Sequence, residues 1–405
     1  MQQLIGFLGI FAILGLAYLL SNNRKAINLR LVLWGLGLQL FFALFILVTP
    51  IGKPLFRFFN KAIMTLLQFS DEGAYFVFNE LALAPGQEGS LGRFFAFQVL
   101  PTIIFFSAVM AIFYHLGIMQ FIVKIIAKAM QKTMQTSGSE TLSNAANIFV
   151  GQTEAPFIIR PFIETMTRSE LMAIMTGGFA TIAGGVMAIY VKWLSNIPNI
   201  AGHLMAASVM SAPAALVIAK IIYPETEDSP TRGTLKMNLV KRDANVMEAI
   251  VHGSSDGLRL AANVAAMLIA FVALVAGINY GLNLVGLSLE QILGWIFSPL
   301  AFTMGVPVED MFKVGTLMGE KLVLTELIAY GHLHDMIPQL NERSVIIASY
   351  ALCGFANFAS IGIQIGGIGA LAPNRRRDLA QVAMKAMFGG ALASWLTATI
   401  AGVLI

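Results

Sequence analysis

Gly151-Gln152-Thr153-Glu154-Ala155-Pro156 is a polar island inside the apolar stretch 142–163, and Gly178-Phe179-Ala180-Thr181 follows it in the next apolar stretch. Far downstream, Thr325-Glu326 interrupts 312–333, and Gly354-Phe355-Ala356-Asn357 follows in turn. A Thr-Glu pair followed by Gly-Phe-Ala-polar therefore occurs twice. Carboxylates at membrane depth are costly and usually mark a substrate or ion path. A duplicated island is the pattern expected of a transporter built from internal repeats.

The rest of the chain places these islands in a bilayer. Of 405 residues, 57% are hydrophobic and 12% charged, whereas soluble domains carry about 25% charged residues. The 37 glycines suit close helix packing in a membrane bundle, so the expected fold is all-α. A net charge of +4 reads as loop Lys and Arg setting orientation, not as a nucleic-acid surface. A single cysteine, Cys353, excludes an internal disulfide. The histidines show no ligand spacing, and His332 and His334 are expected to be solvated. No His-Glu-x-x-His, Gly-x-Ser-x-Gly or phosphate-binding loop occurs, so an intramembrane hydrolase lacks its parts.

Each span needs about 20 apolar residues. Spans are expected near 3–21, 31–50, 94–119, 170–194, 201–222, 258–283, 344–367 and 380–404. The first apolar run precedes Arg24, Lys25 and Arg30, the reverse of a secretory signal's charge layout, and reads as a membrane helix. Segments 53–69 and 121–134 mix Lys or Arg with bulky apolar residues and read as interfacial helices. Segment 289–304 is expected along the outer interface. With the N-terminus outside, Arg24/Lys25/Arg30, Lys124/Lys128/Lys132, Lys236/Lys241/Arg242 and Arg375/Arg376/Arg377 share the inner side, while Lys53, Arg57 and Lys61 do not fit. Both termini are then outside.

The islands sit in stretches too broken to cross once, since Pro156, Pro161 and several glycines interrupt them. Irregular backbone survives at that depth only when surrounded by protein or water, as in re-entrant helical hairpins. Three expected spans separate the hairpins, so they enter from opposite sides. The result is an inverted repeat with its site at the midplane. Four regions follow, 1–135, 136–225, 250–310 and 311–405, of which 136–225 and 311–405 are the two inverted repeats.

Glu154 and Glu326 are the central pair, weighed against a structural role as buried carboxylates. Gln152 and Thr153 beside Glu154 offer mixed donors and acceptors, which suits an uncharged, hydrogen-bonding ligand. Neither island holds a Lys or Arg; Lys321 is the nearest cation. Asn357 and Ser360 share a helical face, against a plain interhelical role. Phe355 is placed to stack on a planar ring. Asn147, Val150, Thr181 and Ile182 flank backbone breaks that suit a sodium ion.

Ala145-Ala146-Asn147-Ile148-Phe149-Val150-Gly151-Gln152-Thr153-Glu154-Ala155-Pro156, with Ile182-Ala183-Gly184-Gly185-Val186, Cys353-Gly354-Phe355-Ala356-Asn357 and the Asn22 to Arg30 segment, closely resembles the bacterial branch of the concentrative nucleoside transporters. The resemblance spans the chain. It implies a homotrimer of eight-span protomers with two opposed re-entrant hairpins, in which 1–135 and 250–310 form a scaffold and 136–225 and 311–405 a transport domain with an elevator-type motion in a bacterial inner membrane. It also implies that Gln152, Thr153 and Glu154 face the nucleobase with Val186 nearby. Glu326, Asn357 and Ser360 would then bind the ribose hydroxyls, and Phe355 would line the site. Sodium would be held by the side chains of Asn147 and Thr181 and the carbonyls of Val150 and Ile182. Some relatives carry Ser at the Thr181 position. The expected activity is sodium-coupled import of uridine-, cytidine- or adenosine-class nucleosides. Its rivals are proton coupling and a passive pore.

Overall fold

The computed structural model describes residues 2–92, 94–233 and 243–405, without the side chains of Lys53, Leu55 and Phe56. Lys236, Lys241 and Arg242, used above for orientation, lie outside the described residues, as does the side chain of Lys53. The chain opens with α1 (Gln2–Leu19), α2 (Leu29–Leu47), α3 (Gly52–Phe78), α4 (Phe95–Gln98), α5 (Leu100–His115) and α6 (Ile118–Met134). The first half continues through α7 (Gly138–Ala146), α8 (Ala155–Ile158), α9 (Arg160–Ile163), α10 (Arg168–Ala180), α11 (Gly184–Trp193) and α12 (Ile200–Ile222). After α13 (Val246–Asn283) and α14 (Leu289–Thr303), the second half comprises α15 (Met311–Val323), α16 (Glu326–Met336), α17 (Glu342–Leu352), α18 (Phe358–Leu371) and α19 (Arg376–Leu404). Among the described residues the only extended pairing is an isolated bridge between Ser137 and Arg232.

Among the described residues, seven helical segments are long and apolar enough to cross a membrane. The expected span at 344–367 is not among them as one helix. It is divided into α17 and α18 by the irregular segment 353–357, where Cys353 ends one helix and Asn357 caps the next. The expected span at 170–194 is likewise interrupted at Thr181–Ala183, between α10 and α11. Both interruptions fall on the Gly-Phe-Ala-polar elements. The 38-residue α13 begins well before the expected 258; at 1.5 Å per residue it extends roughly 57 Å.

Local chemistry accounts for the helix starts. Ser137 with Glu140, and Thr167 with Glu170, form capping boxes at α7 and α10, satisfying otherwise orphaned amide protons. Thr325 caps α16 and Asn357 caps α18 through Ile328 N and Ser360 N. Pro156 and Pro161 lie in the first turns of α8 and α9, where a missing N–H costs nothing. The prolines thus divide the stretch into short pieces. Asp310 accepts from Asn341 N (2.9 Å), Asn341 Nδ2 (2.8 Å) and Ser344 Oγ (2.6 Å). Burial pushes this carboxyl up, but the Ser344 and Asn341 bonds outweigh it and hold it below its usual range. They also fix the start of α15 against the start of α17.

The helices fall into two groups by burial. Apolar windows of the α10–α11 segment, α12 and α19 are 89%, 89% and 83% buried, whereas those of α1, α2 and α13 are 22%, 28% and 6% buried. α13 lies along α5, with Gly253 and Gly257 so close that a Cβ would meet Ala108 Cα at 2.8 Å and Ile104 Cα at 2.7 Å. Its other faces carry exposed Ile269, Val272, Leu274 and Ile278. α3 and α6 are amphipathic, as read from the sequence, but α3 runs on to Phe78, past the expected end at 69.

Candidate functional site

The two repeats meet where their interrupted helices cross. Gly354 has φ +123°, and a Cβ there would meet Phe179 O at 2.7 Å and Ala180 O at 2.8 Å. Gly178 answers from the other half: its Cβ would meet Gln364 Nε2 at 2.7 Å and Gln152 Cβ at 3.0 Å. The glycine of each Gly-Phe-Ala element therefore lets the opposite half approach.

A cavity of about 130 Å³ opens beside this crossing, several times the space one water needs. Its wall includes Gln152, Thr153, Glu154, Val186, Glu326, Phe355, Asn357 and Ser360. The structure thus brings every ligand-facing candidate named from the sequence to one cavity. Glu154 and Glu326, from different halves of the chain, both line it.

Hydrogen bonds order the cavity floor. Glu326 Oε1 accepts from Tyr190 Oη (2.9 Å) and Oε2 from Asn357 Nδ2 (2.8 Å). Asn357 Oδ1 in turn accepts from Ser360 N (2.8 Å). Gln152 Nε2 donates to Ser360 Oγ (3.3 Å), while Gln364 Nε2 donates to Gln152 Oε1 (2.9 Å) and Met175 O (3.1 Å). Tyr190 stacks on Tyr330 with centroids 4.1 Å apart, and Tyr330 Oη donates to Ser349 O (2.6 Å). Each Glu326 oxygen still has a lone pair for a hydroxyl. The Glu154 side chain is exposed to the cavity, folded over Gly151, whose Cβ would lie 2.2 Å from Glu154 Oε2.

Tyr190 and Gln364 were not singled out in the sequence. Gln364 carried a legible signal: a lone amide in an apolar helix, one turn after Ser360 on the same face. Tyr190 carried none, because an aromatic in an apolar run reads as core. One reading is refined: the His332 side chain is exposed, with Nδ1 2.9 Å from Glu320 Oε2, and the half-buried His334 has Nδ1 2.6 Å from Trp193 O. Lys321 turns from the cavity toward Ala351 O, Cys353 O and Ser394 Oγ.

The candidate ion ligands flank two irregular backbone segments that meet at Phe149 and Gly184. Asn147 caps the C-terminus of α7, and Thr181 that of α10. The intervening strands of irregular backbone are joined by Gly184 N donating to Phe149 O (3.0 Å). Asn147 is 1% exposed, yet neither amide atom has a hydrogen-bond partner among the described residues. Such an orphan is expensive unless a ligand completes it. Thr181 Oγ1 donates to Gly177 O (2.9 Å), which leaves its lone pairs as acceptors. Neutral oxygens at a helix C-terminus, without a fixed cation, fit a monovalent cation. Among the described residues, no cluster of His, Cys, Asp and Glu resembles a divalent or transition-metal site.

Comparison with known proteins gives consistent matches. Family models for the Na+ dependent nucleoside transporter N-terminus and C-terminus match residues 8–81 and 203–402, and a nucleoside recognition model matches 96–196. The uncharacterized transporter YutK of Bacillus subtilis is 44% identical over 413 residues, covering 100% of both chains. Sodium/nucleoside cotransporter 1 of Rattus norvegicus is 42% identical over 426 residues, covering 100% of this chain and 64% of the rat protein. The structure of CNTnw in an inward-facing, substrate-bound state matches with a TM-score of 0.93 at 40% identity, covering 100% of this chain and 98% of CNTnw. An outward-facing CNTnw variant matches with a TM-score of 0.91 at 39% identity, over 100% and 98% of the two chains.

Proposed function

The chain belongs to the Na+-dependent, concentrative nucleoside transporter family, and from that premise we propose that it is a sodium-coupled symporter importing nucleosides across a bacterial inner membrane. It is a transporter, not an enzyme. Structures of related chains in inward- and outward-facing states support alternating access.

The observation that carries the reading is the division of labour around the cavity. Every polar lining residue comes from 136–225 or 311–405, while α13 contributes only Leu260, Val264, Met267 and Leu268. A site whose hydrogen bonds stay within one body can slide past an apolar wall without breaking them. That suits an elevator-type motion, with 136–225 and 311–405 moving against a scaffold of 1–135 and 250–310. The long exposed apolar faces of α13 suit packing in a homotrimer.

In this reading Gln152, Thr153 and Glu154 take the nucleobase edge, Val186 and Phe355 pack on its ring, and Glu326, Asn357 and Ser360 take ribose hydroxyls. Tyr190 and Gln364 are added as positioning residues, holding Glu326 and Gln152. The carboxylates do no covalent chemistry. Sodium, as the co-transported ion, is bound by Asn147 and Thr181 with the Val150 and Ile182 carbonyls. It would take up Asn147 Oδ1 beside the turn that presents Gln152 to Glu154.

Labelled uridine uptake into proteoliposomes tests this. An inward Na+ gradient at fixed pH is expected to drive accumulation above the outside concentration. Accumulation driven only by a proton gradient would establish proton coupling instead, and equilibration without accumulation would establish a passive pore.

A further inference from the structure

We propose that the wedge between α1 and α14 is a binding site for an anionic phospholipid, its acyl chain in the wedge and its phosphate on Arg24 and Lys385. The proposal goes beyond the sodium and nucleoside reading above and does not depend on it.

The wedge follows from how the two helices meet. At Gly9 they touch, because a Cβ there would lie 2.3 Å from Thr303 O. Less than two turns later they have parted: a Cβ on Gly15 would meet nothing within 4 Å. Pro299 lies inside α14 on the wall of this gap, where its ring removes a helical hydrogen bond and favours a bend. The result is an open groove of about 550 Å³ between the helices. Leu16, Leu19 and Leu300 make its wall apolar. Thr303 also lines it, but its Oγ1 already donates to Leu300 O (2.8 Å). Such a groove suits a hydrocarbon chain.

The mouth of the wedge has the opposite character. Tyr18 lines the groove, and the Arg24 guanidinium lies over its ring, 5.0 Å from the centroid, a cation–π arrangement. Arg24 Nε donates to Tyr18 O (3.3 Å) and Nη2 to Leu19 O (3.4 Å). Lys385 Nζ, from α19, donates to Leu20 O (3.4 Å). Lys25, next in sequence to Arg24, is exposed. Cations at the last carbonyls of α1 offset the negative end of that helix. Those bonds use only part of the N–H capacity of a guanidinium and an ammonium. Among the described residues, none of the three cations pairs with a carboxylate.

Charge complementarity therefore identifies the occupant. An apolar chain alone would leave the cations uncompensated, and a free anion would leave the wedge empty. A phospholipid with net negative charge answers both. Tyr18 joins the two parts, with its ring as groove wall and as the seat of Arg24. With the N-terminus outside, as read from the sequence, this mouth faces the inner surface. Basic residues beside a membrane helix attract anionic lipids there, and Tyr favours headgroup depth.

The test adds phosphatidylglycerol, phosphatidylcholine with the same chains, or inorganic phosphate to the purified full-length protein in neutral detergent. Bound lipid is read by native mass spectrometry and stability by melting temperature. The parent is expected to bind phosphatidylglycerol about tenfold tighter than phosphatidylcholine and to melt higher with it. Inorganic phosphate is expected to leave melting unchanged. Gly15→Leu fills the wedge from an open position, and is expected to melt like the parent without lipid but to lose the lipid-induced rise. Arg24→Gln and Lys385→Gln are each expected to narrow the preference between the two lipids. The proposal is overturned if the parent does not distinguish the lipids, or if inorganic phosphate reproduces the rise. It is also overturned if Gly15→Leu keeps the full rise, or if both charge variants keep the full preference, which would assign it to the net charge of the protein. A changed elution volume for Gly15→Leu would make the groove an interface between copies and overturn it too. Should Arg24→Gln fail to fold, Lys385→Gln and Gly15→Leu decide. None of these readouts involves transport, so failure of the sodium or nucleoside reading remains distinguishable.

Discussion

At the scale of single residues, Glu326 is the carboxylate in the cavity wall held by two side-chain hydrogen bonds. Its two oxygens take hydrogen bonds from two different helices, through Tyr190 and Asn357. An amide in its place offers one oxygen and turns an NH₂ toward a donor. Hydrogen bonds to a charged group are worth about 1.5–3 kcal/mol, so Glu326→Gln is expected to weaken uridine binding by roughly 10–100-fold while the protein elutes as the parent does. Binding isotherms with size-exclusion profiles check both. Acidic residues in apolar text were easy to find, because a carboxylate there has few reasons to exist. Tyr190 was not, because its role depends on the rotation of α11 relative to α16, which residue order does not encode. Gln364 stood between: its spacing from Ser360 was readable, but its partner Gln152 lies on the distant first island.

At the scale of elements, the interrupted helices matter more than the continuous ones. The second break is placed by the Asn357 cap on one side and Gly354 at φ +123° on the other, whereas α11 starts from Ala183 without a side-chain cap. A side chain at Gly354 meets both an unfavourable φ and the Phe179 carbonyl at 2.7 Å. Gly354→Ala is expected to cost roughly 1–3 kcal/mol, read as a lower melting temperature with impaired uptake. Gly362→Ala, where a Cβ meets nothing within 4 Å, is the control and is expected to leave melting unchanged or raise it. The sequence located the breaks through the repeated Gly-Phe-Ala element but drew continuous spans through them. Hydropathy averages over a window, and a five-residue interruption of mostly apolar residues leaves that average high.

At the scale of the whole molecule, a second polar network ties the repeat body together away from the cavity. Lys220 on α12 pairs with Glu140 on α7 (2.7 Å) and with Glu225 in the following loop (3.3 Å). Its Nζ also donates to Ser169 Oγ at the start of α10 (2.9 Å). Ser229 Oγ from the same loop donates to Glu170 Oε1 (2.6 Å). Removing one member of a buried pair strands the other charge, at about 3–5 kcal/mol. Lys220→Met is therefore expected to lower thermal stability sharply without changing which nucleosides bind, read by melting with and without uridine. This network was invisible in the sequence because its charges lie at helix ends, where they read as solvated loop residues. Tertiary folding of 223–233 over those ends is what buries them.

The central claim is that Na+ at the first backbone break tightens binding of an uncharged nucleoside in a cavity assembled from both halves of the chain. Calorimetric titration of the purified protein with uridine, in sodium chloride and in choline chloride at equal ionic strength, tests it most directly. Linkage requires that Na+ tighten uridine binding as much as uridine tightens Na+ binding. The account predicts tighter binding in sodium than in choline, and loss of that difference in Asn147→Leu with residual uridine binding retained. Equal affinity in the two salts for the parent protein, or an undiminished sodium effect in Asn147→Leu, would contradict it.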